Sequence, residues 1–555
     1  MACVATSLPH IPTLIKLAPR IPSLKLIISL DPLEAGEQIG HSKVDLLTQM
    51  AKDHGIQVIS LVDVEALGAK SGRAMRPPQR EDIITINYTS GTTGNPKGVV
   101  LTHANAVAAY SAARSTGEIE ADDVHISYLP LAHIYGRMVD QMALGAGARV
   151  GFFHGDVLGL VDDMKILKPT GLMSVPRLYN KFYAAIHAAT VEAPGVRGAL
   201  SRRVIATKKA SMRQPGGKAT NKHFLYDRIW TPKVLKAVGL ERTRAMISGS
   251  APIDPGILDF LRAAFGTDFH EGFGMTETYG VGTVQMIGDY STGNIGGPST
   301  GLEVCIESVP DLEYLVTDKP RPRGELLLRG PVVFREYYRN PTETAKVFDA
   351  DGWFRSGDIG EVDELGRFRI IDRKKNVLKL SQGEYVSPER LENVYVGASN
   401  LVAMAFVHGD SKESSLVGVF GVDPEQFAPF ASKILGTPVA ATDAPALQAA
   451  VADARVRKAF LQKIDEIGKK HKFNGYERVR NCHLAVEPFS IENELFTPTY
   501  VVSPLAHRPR FPCSQYRGCL EGACRSLLLT RAAVSFVVTE SCFTSLRGST
   551  SCSAG

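Results

Sequence analysis

Tyr88-Thr89-Ser90-Gly91-Thr92-Thr93-Gly94-Asn95-Pro96-Lys97-Gly98 is the stretch that decides how this 555-residue chain is read. Ahead of it, Ile83-Ile84-Thr85-Ile86-Asn87 is a β-branched run that predicts a strand. Behind it, Val99-Val100-Leu101 leads to Thr102, placed to cap a helix that begins near His103. Gly91, Gly94 and Gly98 would let backbone N–H groups approach an anion with no side chain in the way. Thr89, Ser90, Thr92 and Thr93 add hydroxyl donors, and Lys97 adds a charge. The composition predicts a nest for a phosphate chain. It is not a P-loop, which needs glycine before the lysine and Ser/Thr after it; here Pro96 and Gly98 occupy those places. A plain Gly/Thr/Ser turn is the competing reading, and the density of such residues between a strand and a helix favours the nest.

The bulk numbers set the frame. Apolar residues make up 44% and charged residues 22%, as in a soluble globular protein, and the length calls for two or more domains. A net charge of +5 over this length gives no case for nucleic acid. No apolar run approaches the roughly 18 residues that spanning a membrane requires. The first thirty residues carry Lys16, Arg20 and Lys25 with no acid, a faint transit-peptide pattern. Pro9, Pro12, Pro19 and Pro22 break any long amphipathic helix there, so a buried α/β unit with a strand over residues 25–31 is preferred. Only Cys3, Cys305 and Cys482 precede residue 500, which predicts a reduced, intracellular body. The five cysteines of the tail match no zinc spacing.

Along the chain, residues 55–62 predict another short strand, and residues 74–81 a Pro/Arg-rich surface linker. Strands and helices then alternate to about residue 301, as in a layered α/β domain. Residues 296–371 change to short strands split by Gly and Pro, a small β-rich subdomain. The charged turn Asp372-Arg373-Lys374-Lys375 is the expected hinge, and a mixed α/β segment follows to about residue 498.

Further motifs carry chemistry. In Glu271-Gly272-Phe273-Gly274-Met275-Thr276-Glu277-Thr278 the glycines permit close approach, Thr276 can bond a phosphate oxygen, and Glu277 can hold Mg²⁺. Glu277 alone would read as a solvated acid. Ser250, in Ile247-Ser248-Gly249-Ser250-Ala251-Pro252, is no nucleophile elbow, because Pro252 stands where the last glycine belongs. His133, in Leu129-Pro130-Leu131-Ala132-His133-Ile134-Tyr135-Gly136-Arg137, would alone read as a core histidine.

Taken in order, these segments closely resemble the adenylate-forming (AMP-binding) superfamily of acyl-CoA synthetases, luciferases and peptide-synthetase adenylation domains. The resemblance implies that Thr89, Ser90, Gly91, Thr92, Thr93, Gly94 and Lys97 hold ATP. It implies that Gly249, Ser250, Ala251 and Pro252 pack along adenine and that Gly274, Met275 and Thr276 line the nucleotide. Asp358 matches the ribose-binding aspartate, Arg373 a nucleotide-holding arginine, and Asp372 the hinge. His133 and Tyr135 match the lining of the carboxylate pocket, and Thr276, Glu277 and Lys97 the catalytic set, with Glu277 on the metal.

Val175-Pro176-Arg177-Leu178-Tyr179-Asn180-Lys181 and the segment from Lys379 to Glu389 resemble the eukaryotic, fungal-like long-chain fatty acyl-CoA synthetases. So does Glu487-Pro488-Phe489-Ser490 with Leu495-Phe496-Thr497-Pro498-Thr499, and the likeness runs over residues 8–500. In that family the loop of Gly383 and Glu384 belongs to the passage for CoA. Two departures stand out. The family carries a long region ahead of the phosphate loop, much of which is missing before residue 88. It also continues Thr-Pro-Thr-x with a lysine, whereas Val501 follows Tyr500 here and no lysine comes after it. That break points to a reading-frame shift or a retained intron.

The expectation is therefore an α/β protein in three parts. Residues 1–371 form a large layered AMP-binding domain, its β-rich subdomain at 296–371. A smaller, mobile α+β C-terminal domain covers 372–500, and 501–555 is an aberrant, disordered tail. The implied activity is ATP-dependent long-chain fatty acid–CoA ligation with Mg²⁺, ATP and CoA. The rivals are a ligase for another carboxylic acid and an inactive nucleotide-binding remnant. No nucleic-acid partner is expected. The expected location is intracellular: cytoplasmic, or peripheral on endoplasmic reticulum, lipid droplet or peroxisome.

Overall fold

The computed structural model describes residues 2–34, 43–89, 96–116, 119–215, 217–374, 376–409 and 413–486. The nest residues Ser90, Gly91, Thr92, Thr93 and Gly94, the hinge residue Lys375, and everything from residue 487, Val501 included, lie outside the described residues. The chain divides into two compact units, Met1–Gln79 and Arg80–Gly555.

The first unit is a three-stranded parallel sheet in the order Ala2–Thr6, Leu24–Ser29, Gln57–Ser60. Ile11 and Ile15 of the helix Ile11–Leu17 pack with Leu24, Ile27, Ile56 and Val58 into its core. Pro12 sits in the first turn of that helix, where its missing N–H costs nothing. The strand predicted to run to residue 62 stops at Ser60. There the Ser60 Oγ accepts the Asp63 N–H at 3.1 Å and the Asp63 carboxylate accepts the Ser60 N–H at 3.3 Å. This capping box turns Leu61 and Val62 into the first turn of the helix Leu61–Lys70.

In the second unit, Gly171–Ser174, Ala245–Ser248 and Asp268–Phe273 pair in parallel. Thr283–Val284 and Gly297–Pro298 extend that sheet antiparallel. The helix Pro255–Phe265, apolar nearly all round, is buried against the sheet. It starts where the Asp254 carboxylate accepts the N–H groups of Gly256 and Ile257, and it ends on Gly266 in the left-handed region. Its Phe260, Leu261 and Phe265 share one core with Tyr179, Phe182 and Val204 of the neighbouring helices Pro176–Thr190 and Gly195–Ser211.

The expected strand–loop–helix around the nest is present. Ile83–Tyr88 pairs antiparallel with Gly98–Thr102, and the helix His103–Thr116 follows at once. Thr102 Oγ1 accepts the Asn105 N–H at 3.3 Å, the cap foreseen for that helix. The β-rich stretch is a four-stranded antiparallel sheet in the order Glu303–Glu307, Arg323–Arg329, Phe354–Val362, Phe368–Arg373. Beyond it, Val402–His408, Leu416–Val422 and Val479–Ala485 form a mixed three-stranded sheet. The helices Pro388–Ala398, Pro424–Leu435 and Ala454–Lys470 cover it, and Tyr395, Phe420, Phe427, Phe460 and Ile464 make a core separate from the others.

Phe460 is fully buried and touches the Phe420 ring with centroids 5.4 Å apart. Phe460→Ala should lower stability by about 3–5 kcal/mol. Urea unfolding followed by fluorescence checks this.

Candidate functional site

The site starts at the mouth of the hairpin that carries the predicted nest. The Thr89 N–H donates to the Lys97 carbonyl at 2.9 Å and closes the base of the loop. Gly98, expected to make room for an anion, is instead packed over: a Cβ there would lie 2.9 Å from an Ile86 methyl and 3.3 Å from Tyr338. Lys97 points across to Glu343, Nζ to Oε2 2.5 Å, with its ammonium 4.9 Å from the centre of the Tyr337 ring. Hydrogen bonds from Lys346 and Lys97 pull the Glu343 carboxyl down to about 2.

The carboxyl ends of the parallel strands supply the next groups. After Ala245–Ser248 the chain runs through Gly249, Ser250, Ala251 and Pro252, with Ser250 in the left-handed region (φ 70°). The Gly249 N–H donates to the Ser174 carbonyl at 3.0 Å. After Asp268–Phe273, Gly274 and Met275 lead into the short turn Thr276–Thr278. A Cβ on Gly274 would collide with the carbonyl of Gly280, so only glycine fits. Glu277 is buried, and its Oε1 accepts the Tyr337 hydroxyl at 2.8 Å. Burial raises its carboxyl, against the pull of that bond and of the Arg373 and Lys97 charges.

On the antiparallel sheet, Asp358 and Arg373 face each other as register partners, Nε to Oδ1 3.5 Å. Burial lifts Asp358 to about 6, although Arg373 opposes the shift. Asp372 Oδ1 accepts the Arg373 N–H at 2.5 Å, and burial pushes this carboxyl to about 7. His133 caps the helix Ile134–Gly145 by accepting the Tyr135 N–H on Nδ1 at 3.1 Å, and burial lowers its ring. The Tyr135 hydroxyl donates to the Ile247 carbonyl at 3.3 Å, and its ring lies against Gly249.

One cleft of about 2390 Å³ gathers Thr89, Lys97, His133, Tyr135, residues 249–252 and 274–277, Asp358, Asp372 and Arg373. Gly383 and Glu384 do not line it. They form the turn between Leu378–Lys379 and Tyr385–Val386, with Gly383 at φ 90°. Among the described residues no group of three or more His, Cys, Asp or Glu side chains could hold a metal ion.

The cleft also holds groups that sequence reasoning did not select. Glu271 is buried, its Oε1 accepts the Ile253 N–H at 3.3 Å, and its Oε2 has no partner among the described residues. Burial pushes it up to about 7. Beside it, neither ring nitrogen of His270 has such a partner, and burial lowers that ring to about 4. Glu325 binds Lys374 at 2.8 Å and accepts the Gly357 N–H at 3.1 Å. Glu271 opens the glycine motif and could have been picked from it; Tyr337, Glu343 and Glu325 lie far along the chain from their partners and left no local signal.

Against known proteins, the profile of the AMP-binding enzyme family matches residues 2–338. A peroxisomal acyl-CoA ligase of Penicillium roqueforti is 56% identical over 500 residues, covering 90% of this chain and 71% of that protein. A peroxisomal long chain acyl-CoA synthetase of Arabidopsis thaliana is 39% identical, covering 87% of this chain and 66% of its own length. The crystal structure of the adenylation domain of a carboxylate reductase from Mycobacterium chelonae superposes with a TM-score of 0.71 at 25% identity, over 90% of this chain and 70% of that one. A Segniliparus rugosus adenylation domain in complex with AMP and a carboxylic acid matches with a TM-score of 0.69 at 25% identity, over 93% and 74%.

The Glu271 shift has a thermodynamic consequence. Its folded value is raised above the unfolded one, so its contribution is fully present below pH 4.5 and is lost as pH rises through about 7. Glu271→Gln keeps the shape and removes the titration. The variant should gain on the parent protein by up to roughly 3 kcal/mol as pH goes from 5 to 8. Thermal melts across that range should show the gap in Tm widening with pH.

Proposed function

The chain belongs to the AMP-binding enzyme family, and from that premise we propose that it is an ATP-dependent long-chain fatty acid–CoA ligase. The fatty acid carboxylate attacks the α-phosphorus of ATP and pyrophosphate leaves. The CoA thiol then attacks the acyl carbonyl of the adenylate and AMP leaves. Activation is needed because a carboxylate oxygen is a poor leaving group and AMP a good one.

The observation that carries this reading is the convergence of Lys97, Glu277 and the Asp358–Arg373 pair, from three distant parts of the chain, on one cleft. Lys97, leaving Glu343, balances phosphate charge together with the nest, and Thr276 bonds a phosphate oxygen. Asp358 accepts hydrogen bonds from the ribose hydroxyls, and Arg373 holds that carboxylate and the nucleotide in register. Gly249, Ser250, Ala251 and Pro252 pack along the adenine, while His133 and Tyr135 line the place of the acid. Glu277 fits a magnesium ligand: its carboxylate accepts the Tyr337 hydroxyl, and burial disfavours its charge without a cation. Bound Mg²⁺ would supply positive charge to the phosphates. Asp372 is the hinge about which residues 372–486 turn, bringing Gly383 and Glu384 to the site for thioester formation.

The relatives named as peroxisomal favour that organelle as the place of action. No helix among the described residues is long and apolar enough to cross a membrane.

The test is palmitate-dependent exchange of pyrophosphate into ATP, then release of acyl-CoA and AMP when CoA is added. Exchange driven by an aromatic or short acid, and not by palmitate, would overturn the substrate class. Glu277→Gln should fold normally and lose about a hundredfold or more in magnesium-dependent exchange, as loss of a transition-state electrostatic group does. Lys97→Ala should weaken ATP binding in a calorimetric titration while leaving fatty acid binding unchanged.

A further inference from the structure

Residues 195–244 hold thirteen lysines and arginines against only Asp227 and Glu241, a net of +11, whereas the entire chain carries +5. The rest of the chain is therefore net acidic, and this stretch is a local concentration of positive charge. The structure turns much of it outward. The helix Gly195–Ser211 buries Ser201, Val204, Ile205 and Lys208 and exposes Arg197 and Arg203. Trp230 Nε1 donates to Ser201 Oγ at 3.0 Å and Lys208 Nζ to Asp227 at 2.6 Å, so residues 223–236 lie alongside that helix. Ion pairs described in the stretch use Lys208, Arg213, Arg244 and Glu241. None takes up Arg197, Arg203, Arg228 or Lys233, all of them exposed.

Large apolar side chains are exposed among these cations. Val196 is 86% and Phe224 78% exposed, and Leu200, Leu225 and Ile229 are also open to solvent. Leu200 and Ile229 immediately precede the bonded residues Ser201 and Trp230, so they flank one contact. Single exposed apolar residues are ordinary. Five on two adjoining segments, interleaved with unpaired cations, form a surface with two complementary demands: anionic headgroups for the charges and an apolar layer just beneath for Phe224 and the aliphatic side chains. A nucleic acid would answer the charge and leave the aliphatic side chains in water.

We propose that the face made by the helix Gly195–Ser211 and residues 223–236 docks peripherally on a membrane surface rich in anionic phospholipid. The inference stands apart from the ligase reading, because it rests on charge and exposure outside the cleft. It would place the chain where a long-chain acid partitions.

The test is flotation of the full chain with vesicles of phosphatidylcholine alone and of phosphatidylcholine containing about one third phosphatidylserine. The chain should float with the anionic vesicles, stay behind with the neutral ones, and be released as salt rises. Arg203→Glu with Lys233→Glu should lower the bound fraction roughly tenfold, from two charges near the headgroups, and Phe224→Ser should also lower it. Lys458→Glu with Lys463→Glu, on the helix Ala454–Lys470, changes net charge equally and should leave binding intact. Melting temperatures equal to the parent's show that each variant is folded. Failure to float with anionic vesicles overturns the proposal. So does undiminished flotation of the Arg203/Lys233 variant, an equal loss in the Lys458/Lys463 control, or capture by RNA in place of vesicles.

Discussion

Four carboxyl groups, those of Glu271, Glu277, Asp358 and Asp372, are withdrawn from water around one cleft. Burial raises all four. Arg373 stands beside Asp358, yet a single half-exposed guanidinium does not offset the desolvation of the set. Lys97 is committed to Glu343. A nucleotide phosphate chain entering this cleft would add negative charge near Glu277, whose ionised form burial already disfavours. A phosphate reaching Lys97 would compete with Glu343 for its ammonium.

Backbone geometry fixes these groups in place. Residues 249–252 and 274–277 both leave the carboxyl ends of adjacent parallel strands, where open α/β sheets put their ligand crevices. The Asp358–Arg373 pair depends on strand register. A one-residue slip between Phe354–Val362 and Phe368–Arg373 would send one partner to the opposite face and leave the other buried without its counter-charge. Gly274 is held against Gly280 with no room for a side chain, which ties the Glu277 turn to the chain that follows it.

Local patterns in the sequence were read well. The β-branched run before the nest is a strand, Thr102 caps the helix that follows, and the Gly/Pro-split stretch after residue 296 is an antiparallel sheet. Where the reading slipped, a side chain overrode a local propensity or a packing partner was distant. Residues 55–62 looked like one strand, but the Ser60–Asp63 capping box ends it two residues early. Gly98 looked like part of the nest, and its neighbours Ile86 and Tyr338 are what exclude a side chain. Glu343 lies 246 residues from Lys97 and Tyr337 lies 60 from Glu277. No period or spacing in one sequence exposes such pairs.

The strand Phe368–Arg373 joins the two halves of the proposed cycle. Its last residues pair with Asp358 on one side, and Arg373 also approaches Glu389, at the start of the helix Pro388–Ala398, to 4.0 Å. Tyr385 donates its hydroxyl to the Asp311 carbonyl at 2.7 Å, a second tie between the C-terminal core and the antiparallel sheet. A turn about Asp372 would have to break the Arg373–Glu389 and Tyr385–Asp311 contacts, both at least partly exposed and each of modest worth. Because Arg373 and Lys374 lie beyond Asp372, the same turn would also have to open the Asp358–Arg373 pair and the Lys374–Glu325 bond. Residues 249–252, 274–277 and Asp358, all ahead of the hinge, would keep their geometry while the Gly383–Glu384 turn moved, as two successive reactions on one bound adenylate demand.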